Sequence, residues 1–191
     1  DLEIVLDHND PSDEEVKLVE DYNEQYDNIL HIKVEGVDPI GTSMNRCIEY
    51  ATGDYLCIWN VDDLRTPDSI EVMAKALDEN PDVDFVCNNK ERTFPVGLDV
   101  ELIPIKTLKK FESISEDLIF YEFFISNYIF ERPSNFKSIG LKLNKSFQER
   151  WTLDFPEDYE FIRQVYSHLY QKNRHFSMKD ILALLNKKPE L

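Results

Sequence analysis

Hydrophobic and polar positions in the first half of the chain follow two different periods. Three short apolar runs, residues 2–6, 55–59 and 83–87, are rich in strand-forming side chains and lead into polar segments. Between them, apolar residues recur every three or four positions, as in amphipathic helices. Strands that alternate with helices assemble into a mainly parallel sheet with helices on its faces. The pattern therefore predicts a three-layer α/β fold in which the three runs are buried, neighbouring strands.

Local signals mark the ends of several helices. Ser12 with Glu15, and Ser177 with Asp180, have the spacing of a capping box, which predicts that a helix begins after each serine. Gly53 follows an amphipathic segment and is predicted to end that helix as a left-handed cap.

The second half of the chain has a less regular pattern. It predicts strands at residues 98–103 and 150–153, and two short helices within 107–130. The chain contains no internal repeat and no low-complexity linker. Its length then predicts a single domain that spans residues 1–191.

The net charge of the chain argues against some classes of binding partner. Among 191 residues, 38 Asp and Glu stand against 21 Lys and Arg, which gives a formal net charge of −17. Such a surface repels phosphate backbones and anionic lipids, so we expect no nucleic-acid partner. The sequence also lacks an apolar run of the length that a membrane span needs. Its three cysteines have no metal-site spacing and are interpreted as reduced thiols, which favours a cytoplasmic location.

Two adjacent carboxylates follow the second apolar run. Asp62 and Asp63 come shortly after the predicted strand 55–59, and Pro67 then opens a predicted helix. In α/β sheets ligands bind at the carboxyl ends of strands, where acidic oxygens can hold a divalent ion against a phosphate. The alternative is that both acids are solvated residues that cap a turn. The pattern favours a Mg²⁺ or Mn²⁺ site.

Residues 2–86 resemble the donor-binding half of family-2 inverting glycosyltransferases. The segments that carry the resemblance are EIVLD at 3–7 with SD at 12–13, GTSMN at 41–45, ATGDY at 51–55, and NVDD at 60–63 with the proline at 67. The resemblance implies a nucleotide near Asp7 and a divalent metal on Asp62, with Asp63 assisting, that grips the diphosphate of a sugar nucleotide. Asn45 and Asn60 lie in the same segments and are further candidates for nucleotide binding.

The same resemblance implies that a strand and a helix are missing ahead of Asp1. We therefore expect an open sheet edge, which a homo-oligomer or added residues would cover.

Residues 83–191 are similar to a different group, the C-terminal half of cytidylyltransferases of the spore-coat polysaccharide type. The segments are N at 88 with ERTFPVGLDVE at 91–101, RWTLDFPEDYE at 150–160, FSMKDI at 176–181 and PEL at 189–191. This resemblance implies that Asp154 is a second metal ligand. The chain departs from that group because it has no glycine- and basic-rich loop after the first strand, Phe123-Phe124 in place of a Glu-His pair, and Val96 in place of an Asp.

The possible activities can be ranked by the groups that each reaction needs in its active site. Inverting glycosyl transfer needs a metal at the departing diphosphate and one carboxylate that takes the proton of the sugar acceptor. Asp154, Glu157 and Asp158 are candidates for that carboxylate, and we expect Asp154 to face Asp62 while Asp158 points to solvent. Nucleotidyl transfer needs several cations around a triphosphate, and Arg65 is one of the few available.

The sequence therefore favours a metal-dependent, sugar-nucleotide glycosyltransferase-like domain in surface polysaccharide biosynthesis. One alternative is a cytidylyltransferase that activates a sugar with CTP. The other is a catalytically inactive module with the same nucleotide-sugar fold.

Overall fold

Strands and helices alternate along most of the chain. The computed structural model describes residues 1–59, 68–112 and 125–191. Its elements are β1 Ile4–Asn9, α1 Asp13–Tyr26, β2 Ile29–Val34, α2 Ile40–Tyr50, β3 Tyr55–Leu56, α3 Ser69–Glu79, β4 Phe85–Cys87, β5 Glu101–Pro104, α4 Ile105–Glu112, α5 Ile125–Phe130, β6 Ser138–Gly140, α6 Pro156–Leu169 and α7 Met178–Lys187. The α/β class predicted from the sequence is confirmed. No helix in these described ranges is long and apolar enough to cross a membrane.

The predicted capping boxes begin their helices. At α1 the Glu15 N–H donates to the Ser12 hydroxyl at 3.3 Å, and the Glu15 carboxylate accepts from the Ser12 N–H at 2.8 Å. At α7 the Ser177 N–H donates to the Asp180 carboxylate at 2.7 Å. These bonds satisfy amide groups that have no partner inside the helix.

The predicted left-handed cap at Gly53 is wrong. Helix α2 ends with Ala51 in an extended conformation, and Gly53 is not among the glycines with positive φ. The physical reason is a side-chain contact from the segment just ahead of β1. The Glu3 carboxylate accepts from the Thr52 N–H at 2.8 Å and from the Thr52 hydroxyl at 3.0 Å, so the chain leaves α2 extended and no glycine cap is needed.

The chain divides into two compact units that are interleaved in sequence. The described residues of the first unit are 1–59, 70–87, 101–112 and 125–139, and those of the second are 68–69, 88–100 and 140–191. The single domain over residues 1–191 stays a prediction.

The strands of the first unit run in both directions. β1 and β2 form a parallel two-stranded sheet, with Ile4 beside Ile29 and Asn9 beside Val34. A second sheet has the order β3-β5-β4-β6, in which β5 is antiparallel to both β3 and β4. The predicted mainly parallel sheet is therefore corrected to a mixed arrangement. The reason is that the connection from β4 to β5 contains no helix, whereas parallel strands are joined by a crossover that usually includes one.

The three apolar runs are not neighbours in one sheet. β5 lies between β3 and β4, and β1 belongs to the other sheet. The run at residues 55–59 is a strand only at Tyr55–Leu56, and Ile58 and Trp59 are 43% and 44% exposed. The run at 83–87 does form a buried strand, because all three residues of β4 are fully enclosed.

An aromatic cluster forms the core around β4 and β5. The rings of Phe111, Tyr128 and Phe136 pack with centroids 5.2 to 5.9 Å apart. Phe85 and Cys87 of β4 are buried against the same cluster. Full burial of each large apolar side chain contributes about 1.5–3 kcal/mol, so this cluster stabilises the first unit substantially.

One carboxylate is buried beside this core. Asp84 is only 4% exposed, and its side chain accepts hydrogen bonds from the Lys137 N–H at 3.0 Å, from the Thr107 hydroxyl at 3.5 Å and from the Lys110 ammonium. Because a buried charge is costly without partners, these donors are what allows an acid at this position.

In the second unit, helices α6 and α7 pack together near a short bridge. The strand predicted at residues 150–153 is not formed, and only Arg150 makes an isolated parallel bridge with Val96. The Trp151 N–H donates to the Val96 carbonyl at 2.7 Å. Gly97 follows with φ of +101°, which turns the chain away from the bridge and stops the ladder after one step.

Candidate functional site

Asp7 is a nearly enclosed acid in the C-terminal half of β1. Its side chain is 2% exposed, and both carboxylate oxygens accept hydrogen bonds from one terminal nitrogen of Arg46, each at 2.8 Å. The other terminal nitrogen of Arg46 donates to Asp38 at 2.5 Å. One cation is thus shared by two acids, and the group formed by Asp7, Asp38 and Arg46 retains a net negative charge.

The two carboxylates raise the pKa of the Arg46 guanidinium. The hydrogen bond to Asp38 is the largest cause and the hydrogen bond to Asp7 is the next. Arg46 is therefore a permanent cation at this site. Its removal would leave Asp7 buried without a counter-charge, which is a strongly destabilising change.

Asn9 connects the end of β1 to the surrounding chain. Its amide nitrogen donates to the Ser43 hydroxyl at 3.0 Å, and its amide oxygen accepts from the Asp38 N–H at 3.0 Å. Side chains two apart on a strand share one face, so Asp7 and Asn9 both point toward α2. Ser43 and Arg46 are three apart on α2 and share the helix face that receives them.

The sequence-based choice of residue on α2 differs from the residue that contacts Asp7. Asn45 is exposed, whereas Arg46 carries the contacts. The signal that was missed is charge, because Arg46 is the single Lys or Arg in α2. The nucleotide-binding roles of Asp7 and Asn45 stay predictions.

Four of the predicted site residues lie outside the described ranges. They are Asn60, Asp62, Asp63 and Arg65. Within residues 1–59, 68–112 and 125–191, no three His, Cys, Asp or Glu side chains are placed to hold a metal ion together. The metal site on Asp62 and Asp63, and the expectation that Asp154 faces Asp62, therefore stay predictions.

The other predicted acids lie at the start of α6, in the second unit. Asp158 does not point to solvent, since its side chain is 11% exposed. One of its oxygens accepts from the backbone N–H groups of Asp154 at 2.9 Å and Phe155 at 3.0 Å, and the other accepts from Arg150 at 2.5 Å. These backbone bonds, the Asp154 N–H first, lower the pKa of Asp158. Asp158 thus fixes the first turn of α6.

Asp154 and Glu157 have more exposed surroundings. The Asp154 side chain is 62% exposed, and one oxygen accepts from Arg150 at 2.7 Å. Glu157 is exposed on the first turn of α6. Asp154 retains a second carboxylate oxygen that could bind a hard divalent ion, but Arg150 would then lie next to that cation. The roles of Asp154 as a metal ligand and of Glu157 as a base therefore stay predictions.

Comparisons with known proteins connect the chain to two groups. The sequence model of glycosyl transferase family 2 matches residues 1–140. An uncharacterized glycosyltransferase from Methanocaldococcus jannaschii is 32% identical over 84 residues, which are 44% of this chain and 28% of that protein. The chain thus spans about a quarter of that relative's length.

A cytidylyltransferase from Leptospira borgpetersenii serovar Hardjo-bovis has a similar structure. The TM-score is 0.73 at 21% sequence identity, and the match covers 97% of this chain and 76% of that one. At this identity the likeness shows a shared fold, of the nucleotide-diphospho-sugar transferase type. Both resemblances predicted from the sequence are confirmed, and the glycosyltransferase match extends past residue 86 to residue 140. The chain belongs to glycosyl transferase family 2.

Proposed function

We propose that this chain is a metal-dependent glycosyltransferase domain that takes a sugar from a sugar nucleotide during surface polysaccharide biosynthesis. The observation that carries the proposal is the family match over residues 1–140, within which Asp7 lies nearly buried at the carboxyl half of a strand. The pathway is suggested by the similarity of residues 83–191 to spore-coat polysaccharide cytidylyltransferases.

The donor side of the proposed site begins with Asp7, at the carboxyl half of β1. Asp7 is proposed to lie near the nucleotide, and it has carboxylate lone pairs beyond the two that Arg46 occupies. Asn45, Asn60 and Arg65 are the proposed additional contacts to the nucleotide. Asp62 and Asp63 are proposed to hold Mg²⁺ or Mn²⁺, which would neutralise the charge that develops on the departing diphosphate.

The acceptor side of the proposal needs a carboxylate that can take a proton. Asp158 is poorly suited, because backbone donors stabilise its anion and a stabilised anion is a weak base. Glu157 is exposed and is the better candidate, and Asp154 is the proposed second metal ligand. The sugar acceptor is proposed to approach this end of α6.

A second candidate function is nucleotidyl transfer to a sugar from CTP. The observation that favours it is the fold likeness to a cytidylyltransferase over 97% of the chain. Against it stands the sequence, which lacks the glycine- and basic-rich triphosphate loop.

Calorimetric titration with UDP, CDP and CTP, each with Mn²⁺ or Mg²⁺, tests the two candidates together. We expect UDP to bind only when the metal is present. Binding of CTP in preference to UDP would favour the cytidylyltransferase instead. Absence of binding for all three nucleotides would contradict both and favour an inactive module.

The metal role of Asp62 is tested by Asp62→Asn. This variant keeps the size of the side chain and should lose the metal-dependent part of the UDP affinity while its melting temperature hardly changes. Asp21→Asn, at an exposed position of α1 where the side chain is 57% exposed, is the matched control and should bind like the wild type. An unchanged Mn²⁺-dependent affinity in Asp62→Asn would refute the proposed metal site.

A further inference from the structure

Two histidines meet on the face of the β1–β2 sheet opposite Asp7. His8 Nδ1 lies 3.2 Å from His31 Nε2, and the ring centroids are 5.4 Å apart at an angle of 33°. His8 is adjacent to Asp7 on β1, so strand alternation turns it away from α2 and toward α1. The parallel register places Leu6 beside His31 and His8 beside Lys33, so His8 and His31 are diagonal neighbours on one face.

The separation of the two ring nitrogens fits a shared metal ion. Zn–N bonds of about 2.0–2.1 Å at a tetrahedral angle hold two ligand nitrogens about 3.3–3.4 Å apart. The observed 3.2 Å lies within about 0.2 Å of that separation, and both nitrogens come from backbone positions that the strand ladder fixes. Neutral imidazole is also the side chain that Zn²⁺, Cu²⁺ and Ni²⁺ prefer among nitrogen ligands.

The groups around the pair suit a cation. The other ring nitrogen of His8, Nε2, lies 4.0 Å from the Glu15 carboxylate, which is beyond hydrogen-bond distance but places a negative charge close to the pair. Lys33 is the nearby positive group, and its ammonium lies 3.7 Å from Glu20 of α1.

We infer that His8 and His31 form a two-imidazole site for a borderline divalent ion such as Zn²⁺, separate from the proposed Asp62 site and completed by water. Glu15 contributes a nearby negative charge, since its carboxylate lies 4.0 Å from the ring nitrogen of His8 that would not bind the ion. The ion would join β1 to β2 across the sheet that carries Asp7, so it would act as a structural link. The hard ions Mg²⁺ and Mn²⁺ would not compete strongly, because they prefer oxygen ligands.

Electron paramagnetic resonance of the wild-type chain with one equivalent of Cu²⁺ tests the ligands directly. Coupling of the copper signal to imidazole nitrogens is expected, and it should disappear in the His8→Gln/His31→Gln variant. Calorimetric titration with Zn²⁺ should show one binding event fewer in that variant, while titration with Mn²⁺ stays unchanged. Each single variant should lose more Zn²⁺ affinity than the roughly 10- to 100-fold that loss of a supporting residue typically costs.

Two further measurements can refute the proposed histidine site. Zn²⁺ should raise the melting temperature of the wild type and not that of the double variant, since only a ligand that binds the folded state stabilises it. If the double variant fails to fold, ¹⁵N chemical shifts of the histidine rings in the wild type decide, because Zn²⁺ should move His8 Nδ1 and His31 Nε2. Equal Zn²⁺ stoichiometry in both proteins, or a copper signal without nitrogen coupling, would overturn the site.

Discussion

Gly97 shows how strongly one residue can restrict the chain. Its φ is +101°, and a Cβ atom at this position would lie 2.7 Å from the Trp151 carbonyl oxygen. Gly97→Ala therefore combines an unfavourable backbone conformation with a backbone clash. We expect it to lower the free energy of unfolding by about 1–3 kcal/mol, as measured by urea denaturation.

Two other glycines separate these causes. Gly36 has φ of +81°, but a Cβ atom added to it would have no other atom within 4 Å, so Gly36→Ala tests the backbone conformation alone. Gly53 has an ordinary φ and a nearest contact of 3.5 Å, so Gly53→Ala should change stability least. The expected order of destabilisation is Gly97, Gly36, Gly53. A Gly97→Ala variant as stable as Gly36→Ala would show that the contact with Trp151 does not constrain the chain.

Asp158 should make the stability of α6 depend on pH. Its pKa is lowered from 3.8, chiefly by the backbone N–H of Asp154, so the anion is favoured in the folded state. The stability it contributes is present at pH values above 3.8 and is lost as the pH falls through the lowered folded-state pKa.

The measurement is the melting temperature as a function of pH for wild type and Asp158→Asn. The variant should be less stable at neutral pH, and the difference should shrink as the pH falls below 3.8. Asp154→Asn is the control, because this acid pairs with the same Arg150 but its side chain is 62% exposed. A constant difference at all pH values would contradict the role of the Asp158 anion.

At the level of elements, Asp84 joins β4 to its surroundings. The residue precedes Phe85, and its carboxylate accepts from Thr107 and Lys110 of α4 and from the Lys137 N–H just ahead of β6. Asp84→Ala would leave these donors without their carboxylate acceptor, and the Thr107 hydroxyl lies in a buried position. We expect the free energy of unfolding, as measured by urea denaturation, to fall by about 1–3 kcal/mol.

Asp82→Ala is the matched control for Asp84→Ala. Asp82 also pairs with Lys137, at 2.5 Å, but both side chains are 66% exposed. An exposed ion pair contributes little, so this variant should unfold at nearly the wild-type denaturant concentration. If the two variants were equally destabilised, burial of Asp84 would not be the cause.

The elements also show which features could be predicted from the sequence. The boxes at Ser12 and Ser177 depend on residues three positions apart, so their pattern is visible in the sequence. The cap at Gly53 is mispredicted because Glu3 reaches Thr52 from 49 residues away. Strand direction in β5 and the pairing of Asp7 with Arg46 are likewise set by contacts between distant segments. Sequence reasoning singles out Asp7, an acid on a strand, and misses Arg46, the helix residue that pairs with it.

At the level of the whole molecule, calorimetry can test the single-domain prediction. The two compact units are interleaved, since residues 88–100 leave the first unit and residues 101–112 and 125–139 return to it. A single domain should unfold in one transition whose calorimetric and van't Hoff enthalpies agree. Two resolved transitions, or a ratio well above one, would show that the units unfold separately.

The buried position of Cys87 allows the opening of the core to be followed by thiol labelling. Its thiol is fully enclosed in β4 within the aromatic cluster, whereas Cys57 is partly exposed, and Cys47 is partly buried with a pKa raised by burial. Thiol reagents act on the accessible thiolate, so Cys57 should react first and Cys87 only after β4 separates from β5. The rate at which Cys87 is labelled would therefore report how often β4 separates from β5 in the native protein, without any denaturant.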